Sequence, residues 1–310
     1  MRSTGRYNIH IVLASKLKAM YKRGKGQSKY KDKKIYGRNG GNPDCIYTDT
    51  TLNTYLKALK KYEEFCNATG LNPKSIEQAA DSRQEYVKWL EENGFPATTV
   101  KKNLSALSKA TGTSNVDLDF AEKRSRDDIT RNRGDYTQYT QKHFSEEKNA
   151  DFVLICRCTG ARTHDLVPLN KYHPGVKGSD LTAFKGKPAV KFNYGKGGKR
   201  RIAEIAGTAE EIESVIRIFE TAGDKNVFDT IPHAGYNATP VHRYRSDYAR
   251  AIYEKYARPF NEIPSRDLYK CTGSRKGDVF DRKALAVVNM NLGHSGKRYS
   301  LAVNNYLYRR

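Results

Sequence analysis

The chain has 310 residues, long enough for two domains with cores of their own, and sets 56 Lys and Arg against 34 Asp and Glu, a formal net charge of +22. Such an excess points to a polyanionic partner, because every phosphate neutralised releases condensed counterions. The chain lacks the run of roughly 18 apolar residues that a membrane-spanning helix needs, and Ile9–Ala14 is too short an apolar stretch for a secretory signal.

Residues 1–42 hold twelve Lys and Arg and a single acid, Asp32. Gly24-Lys25-Gly26-Gln27-Ser28-Lys29 has too little apolar surface to order itself. A basic, partly flexible arm that touches DNA without reading bases is expected here, with Ile11, Leu13, Leu17 and Met20 hinting at a short helix. From Thr51 to Gly70 the apolar residues Leu52, Tyr55, Leu56, Leu59, Tyr62 and Phe65 follow helical spacing. Ser75-Ile76-Glu77-Gln78 has the form of a capping box and opens a second helix running to Gly94. A third helix follows Pro96, with Val100, Leu104 and Leu107 inward and Lys101, Lys102 and Lys109 outward as candidate DNA contacts. Residues 43–120 thus form a helical bundle with a basic face, and the polar stretch 121–144, with Arg124, Arg126, Arg131 and Arg133, is a linker.

A second domain occupies 145–310 and begins with an apolar helix around Phe152–Cys156. The five cysteines are odd in number and scattered, and Cys156-Arg157-Cys158 has no metal-ligand partners at useful spacing, so reduced and mostly buried thiols are expected. Thr159-Gly160-Ala161-Arg162 places an arginine at a turn into Thr163-His164-Asp165-Leu166, where Asp165 shares a helix face with it and could hold it. A guanidinium fork matches two non-bridging phosphate oxygens. Strands are expected over Leu181–Phe184, Pro188–Tyr194 and Arg201–Ile205, the last two joined by the hairpin turn Gly195-Lys196-Gly197-Gly198. Lys196 on that turn can reach a leaving oxygen; Lys199 is the reserve, and Lys199 and Arg200 are candidate backbone contacts. His242 and Arg245 fall three apart on a helix starting near Thr239-Pro240, with Val241, Tyr244, Tyr248 and Ile252 as its packing residues. Asp281 reads as the N-cap of a further helix with Ala284, Leu285, Val288 and Met290 inward. That helix ends at Asn291-Leu292-Gly293, His294 follows, and Tyr306 comes about three helical turns later.

Two arginines, a lysine, two histidines and a late tyrosine in this order resemble the catalytic half of the tyrosine recombinases, the phage-integrase family. The resemblance covers 145–310 by motif and about 45–120 by helical pattern. It implies a mainly α fold with a small antiparallel β-sheet, arranged as a two-domain DNA clamp: a helical core-binding domain and a mixed α/β catalytic domain. It further implies that Tyr306 attacks a phosphate to leave a 3′-phosphotyrosine and a free 5′-hydroxyl. Arg162, Arg245 and His294 would hold the phosphate, His242 would assist proton transfer and Lys196 would protonate the leaving oxygen. Neither metal nor cofactor nor ATP is implied. The partner would be double-stranded DNA, and the protein, a monomer in solution, would form a homotetramer around a Holliday junction, in the cytoplasm or nucleoid and for a mobile element. The spacing from Arg245 to His294 exceeds that of common members, so Asn261–Asp278 reads as an insert, and Tyr299 and Tyr308 stay open as rival nucleophiles. The four residues after Tyr306 leave little room for a C-terminal segment exchanged between subunits. A type IB topoisomerase and a non-catalytic DNA-binding regulator are the competing readings. A metal-dependent transposase lacks its carboxylate triad.

Overall fold

The computed structural model describes residues 8–37, 41–121, 144–168, 174–195, 199–230 and 241–307. The chain forms two compact units, one within residues 1–128 and one within 129–310. The mainly helical class with small antiparallel sheets expected from the sequence is the one adopted. Among the described residues, no helix is long and apolar enough to cross a membrane.

The first unit opens with α1 (Ile9–Gly24), capped by Asn8, whose side chain accepts from the His10 and Ile11 amides. Ile9, Leu13, Leu17 and Met20 return to one face at helical spacing and are buried in the core of this unit. Much of the segment expected to be an arm is therefore core, since that stripe buries more apolar surface than the surrounding lysines suggest; Ile11 is exposed. Helix α2 (Lys29–Tyr36) keeps its side chains largely in solvent. Helix α3 (Asp49–Thr69) buries Leu59, Tyr62 and Phe65 in the same core. The single helix expected from Ser75 to Gly94 is two, α4 (Ile76–Asp81) and α5 (Arg83–Glu92), broken at Ser82. The Ser82 hydroxyl donates to Ala79 O at 3.0 Å and lies 2.7 Å from the Tyr62 hydroxyl, giving the backbone an alternative to continuing the helix. Helix α6 (Ala97–Thr111) buries Val100, Leu104 and Leu107. Lys109 does not point outward as expected: it is half-buried and donates to Pro43 O, and burial pulls its ammonium down.

In the second unit α7 (Ala150–Thr159) buries Phe152, Ile155 and Cys156, and the short helix α8 (Thr163–Leu166) follows. Strands β1 (Leu181–Phe184), β2 (Lys187–Gly195) and β3 (Lys199–Glu204) form an antiparallel sheet in that order. Phe192 pairs with Arg201 and Gly195 with Lys199, so the hairpin runs as read from the sequence. Helix α9 (Ala209–Ala222) was not foreseen, although Thr208 and Glu211 form a reciprocal capping box at its start. Helix α10 (Val241–Tyr256) contributes Tyr244 to one apolar cluster, with α7, β2, β3 and α9, and Tyr248 and Ile252 to a second. That second cluster is completed by α11 (Arg282–Asn291) and α12 (Tyr299–Asn305). Before α11 the chain folds as a ribbon of β4 (Leu268–Lys270), within the expected insert, and β5 (Val279–Asp281), just after it. Asp281 caps α11 as expected, whereas Met290 is exposed rather than inward.

Candidate active site

A helix ends with carbonyls that have no intrahelical partner and carry the negative end of its dipole. The ends of α7 and α11 bring four such carbonyls together, and two arginines fill them. Arg201 Nη1 donates to Thr159 O at 3.3 Å and Asn291 O at 2.7 Å, and its Nη2 donates to Gly160 O at 3.4 Å and Asp165 Oδ2 at 3.0 Å. Arg245 Nη1 donates to Gly160 O and its Nη2 to Leu292 O at 2.5 Å. Asn291 ties the arrangement to β3 as well, its Oδ1 accepting from the Glu204 amide at 2.8 Å.

Two glycines make this approach possible. Gly160 lies at φ +58°, and a Cβ there would stand 2.5 Å from Tyr248 Cδ1. Gly293 lies at φ +73°, and a Cβ there would stand 2.9 Å from Arg201 Cδ. The Leu292-Gly293-His294 turn therefore folds over Arg201, and it sends His294 toward α12.

The catalytic candidates gather at this seam. Tyr306, immediately after α12 and 7% exposed, has its hydroxyl 3.3 Å from Arg245 Nε, which donates to it, and 3.3 Å from His294 Nε2. The two rings are stacked, 6.0 Å between centroids. The Arg162 guanidinium lies near Tyr306; burial and the neighbouring Arg245 charge pull it down, while Asp165 and Tyr306 oppose them. Arg245 has no exposed surface at all, with the Tyr306 ring 5.4 Å from its guanidinium carbon.

Asp165 holds a different arginine from the one expected. Its Oδ2 accepts from the backbone amide of Arg162 at 3.0 Å, and its ion pair is with Arg201. Burial pushes the Asp165 carboxyl up, but Arg201, the Arg162 amide and the Arg162 charge outweigh it and hold it below its ordinary value. Burial pulls Arg201 down to about 10 against the attraction of Asp165, so it stays charged at neutral pH. Asp165 is ion-paired with Arg201 and accepts from the Arg162 amide, so with the guanidinium groups of Arg162 and Arg245 beside this pair the centre carries a positive surplus that suits an anion.

The remaining candidates fall around this centre or outside the described residues. His242, in the first turn of α10, is exposed, whereas Arg245, three residues further along, is buried. Lys196 lies outside the described residues, as do Tyr308 and nearly all of the linker. Lys199 pairs by its backbone with Gly195 at the mouth of the hairpin. Arg200 is exposed and lines a hollow of about 370 Å³ with Met290, Gly293 and His294. Lys102 is exposed, and Lys101 Nζ sits 5.2 Å from the Phe120 ring centroid. Tyr299, the described rival to Tyr306, packs 5.7 Å from the Tyr269 ring. All five cysteines are buried free thiols. Among the described residues, no three His, Cys, Asp or Glu side chains group as a metal site.

Sequence reasoning missed Arg201. The signal was present: on β3 it alternates with Ala203 on the face that packs on Phe192, whose ring centroid is 3.9 Å from its guanidinium carbon. An arginine at an inward strand position requires a buried counter-ion, and Asp165 is that partner.

Residues 44–111 match the family described as the phage integrase, N-terminal SAM-like domain. This bears out the resemblance to phage integrases drawn from the sequence. Among solved structures, the chain is similar to the Tn1549 transposon integrase in complex with transposon right end DNA. The TM-score is 0.44 at 15% identity, over 92% of this chain and 95% of that one. No curated protein matches it in sequence.

Proposed function

We propose, for a chain whose residues 44–111 are a phage-integrase N-terminal SAM-like domain, that it is a site-specific DNA recombinase working through a tyrosine nucleophile. The observation that carries this reading is the Tyr306 hydroxyl lying 3.3 Å from both Arg245 Nε and His294 Nε2. A protonated phenol is a weak nucleophile, and it gains strength where cationic donors favour its anion and a nearby base takes the proton. Those same donors then meet the charge that develops on the phosphate.

In the proposed reaction the Tyr306 oxygen attacks the scissile phosphorus, and the bond to the 5′-oxygen breaks. A 3′-phosphotyrosine and a 5′-hydroxyl result. Arg162 and His294 face the incoming phosphate, Arg245 steadies the phenol and then the phosphoryl oxygens, and Lys196, with Lys199 in reserve, supplies the proton to the leaving oxygen. His242 assists from the surface of α10. The phosphotyrosine bond conserves the energy of the broken link, so a 5′-hydroxyl of a partner duplex can reverse the step and exchange strands. Four protomers on two duplexes, passing through a Holliday junction, complete the exchange. The element served would be a mobile one, and the work is done where the DNA lies, in the cytoplasm or nucleoid.

The test is covalent trapping on nicked duplexes that carry the ends of the chain's own genetic element, followed by denaturation and peptide mapping. A DNA adduct on Tyr306, abolished in Tyr306→Phe with DNA binding retained, is the expected result. An adduct on Tyr299 or Tyr308 would move the nucleophile. Clear binding with no adduct would leave a non-catalytic DNA-binding protein.

A further inference from the structure

The ribbon preceding α11 makes a contact that the proposed chemistry has not used. Arg275, at the turn between β4 and β5, reaches across to the end of α12. Its Nη1 donates to Val303 O at 2.7 Å and to Leu307 O at 2.8 Å, two carbonyls that bracket Tyr306. Its Nε donates to Asp278 Oδ2 at 2.7 Å, and its guanidinium carbon lies 5.2 Å from the Phe280 ring centroid. The side chain is 15% exposed. It is thus held on the ribbon by an acid and a ring while it grips the far segment.

The ribbon itself is well anchored. Asp281 at its end accepts from Arg258 Nε at 2.7 Å and Nη2 at 2.8 Å, and the Asp281 amide donates to the Tyr253 hydroxyl at 2.9 Å. Strand β5 then runs without a break into α11, the helix that leads to His294. His294 is therefore referred to the ribbon through α11, and Tyr306 is referred to it through Arg275. Helix α12 has only seven residues, and a helix this short holds poorly without tertiary support. A cation at its C-terminal carbonyls supplies that support.

We propose that Arg275 is a positioning residue for the nucleophile: it latches the Val303–Leu307 segment to the β4–β5 ribbon and so fixes the phenol of Tyr306 against His294 and Arg245. This inference rests on the reading of Tyr306 as the nucleophile. It gives the segment 261–278 a role in the reaction, beyond lengthening the chain between Arg245 and His294. The nucleophile is tied down within its own subunit.

The experiment compares the full chain with Arg275→Ala and Arg275→Lys in two measurements. The first is hydrogen exchange across residues 299–307; the second is the rate of covalent adduct formation as a function of DNA concentration. Arg275→Ala should exchange faster in that segment, with protection of α7 and α10 unchanged. Its adduct rate at saturating DNA should fall roughly 10- to 100-fold, the scale of an ångström-sized misplacement. The DNA concentration for half-saturation should not move, because three of the arginine's N–H groups already serve the protein. Arg275→Lys, which keeps one cation in reach of the carbonyls, should recover part of the rate, and guanidinium ion added to Arg275→Ala should recover part as well. An unchanged adduct rate, or a fall that comes with weaker DNA binding or with loss of protection throughout the unit, overturns the proposal. If Arg275→Ala fails to fold, Arg275→Lys carries the same comparison. Absence of an adduct in the unaltered chain would defeat the recombinase reading instead, and the exchange data would still decide whether the latch exists.

Discussion

At the scale of single residues, Arg201 shows how one buried side chain can join distant elements, meeting carbonyls at the ends of α7 and α11. It neutralises Asp165 in a place with almost no solvent, where their side chains are 2% and 0% exposed. Removing one partner of a buried pair leaves the other charge uncompensated. Arg201→Ala should therefore lower the unfolding free energy by roughly 3–5 kcal/mol, measured by chemical denaturation of the full chain. The double change Arg201→Met with Asp165→Leu should recover much of that loss, since an apolar pair leaves no stranded charge. Retention of full stability by Arg201→Ala would mean that water reaches Asp165. Arg162, Arg245, His294 and Tyr306 could be picked out of the sequence as candidates because each sits in a short local pattern. Arg201 was not, because its meaning depends on Phe192 across the hairpin and on the carbonyls of two distant helices.

Among the elements, α11 depends on its first residue more than on its propensity. Asp281 accepts from the Lys283 amide at 2.8 Å, capping the helix, and it also pairs with Arg258. The hydrogen bond from Arg258 holds its carboxyl at about 2. In the unfolded chain the same group titrates near 4. A depressed pKa contributes stability that is fully present above about pH 4 and is lost as the pH falls through about 2. Asp281→Asn keeps an acceptor for the cap but removes the charge. It should cost roughly 1–2 kcal/mol at neutral pH, after discounting for water around Arg258, and the difference from the unaltered chain should vanish near pH 2. A difference independent of pH would show that the loss lies in the cap alone. The helices α3, α6 and α11 were readable because their apolar spacing extends over several turns. The break at Ser82 was not, since it turns on one hydroxyl meeting Ala79 O and Tyr62, and α9 was passed over although its capping box was written in Thr208 and Glu211. The burial of α1 was hidden for another reason: in the sequence its apolar stripe is interleaved with Lys16, Lys18 and Lys22.

For the whole molecule the dominant quantity is the net charge of +22. Binding to duplex DNA should fall roughly a thousandfold or more between about 50 and 200 mM salt, as expected for a protein making several phosphate contacts. A shallow dependence in a gel-shift series would mean that much of this charge faces away from the nucleic acid. Charge at this scale attracts every polyanion and small anion in the cell without distinction, which makes the burial of Arg245 consequential. Its guanidinium has no exposed surface, and the Tyr306 ring lies beside it. If this is the phosphate site proposed above, inorganic phosphate and free nucleotides would find Arg245 covered while the phenol is seated. On the proposed reading, only an anion carried in by a duplex docked over many contacts would compete for that place, so the proposed nucleophile would also filter what is allowed to approach.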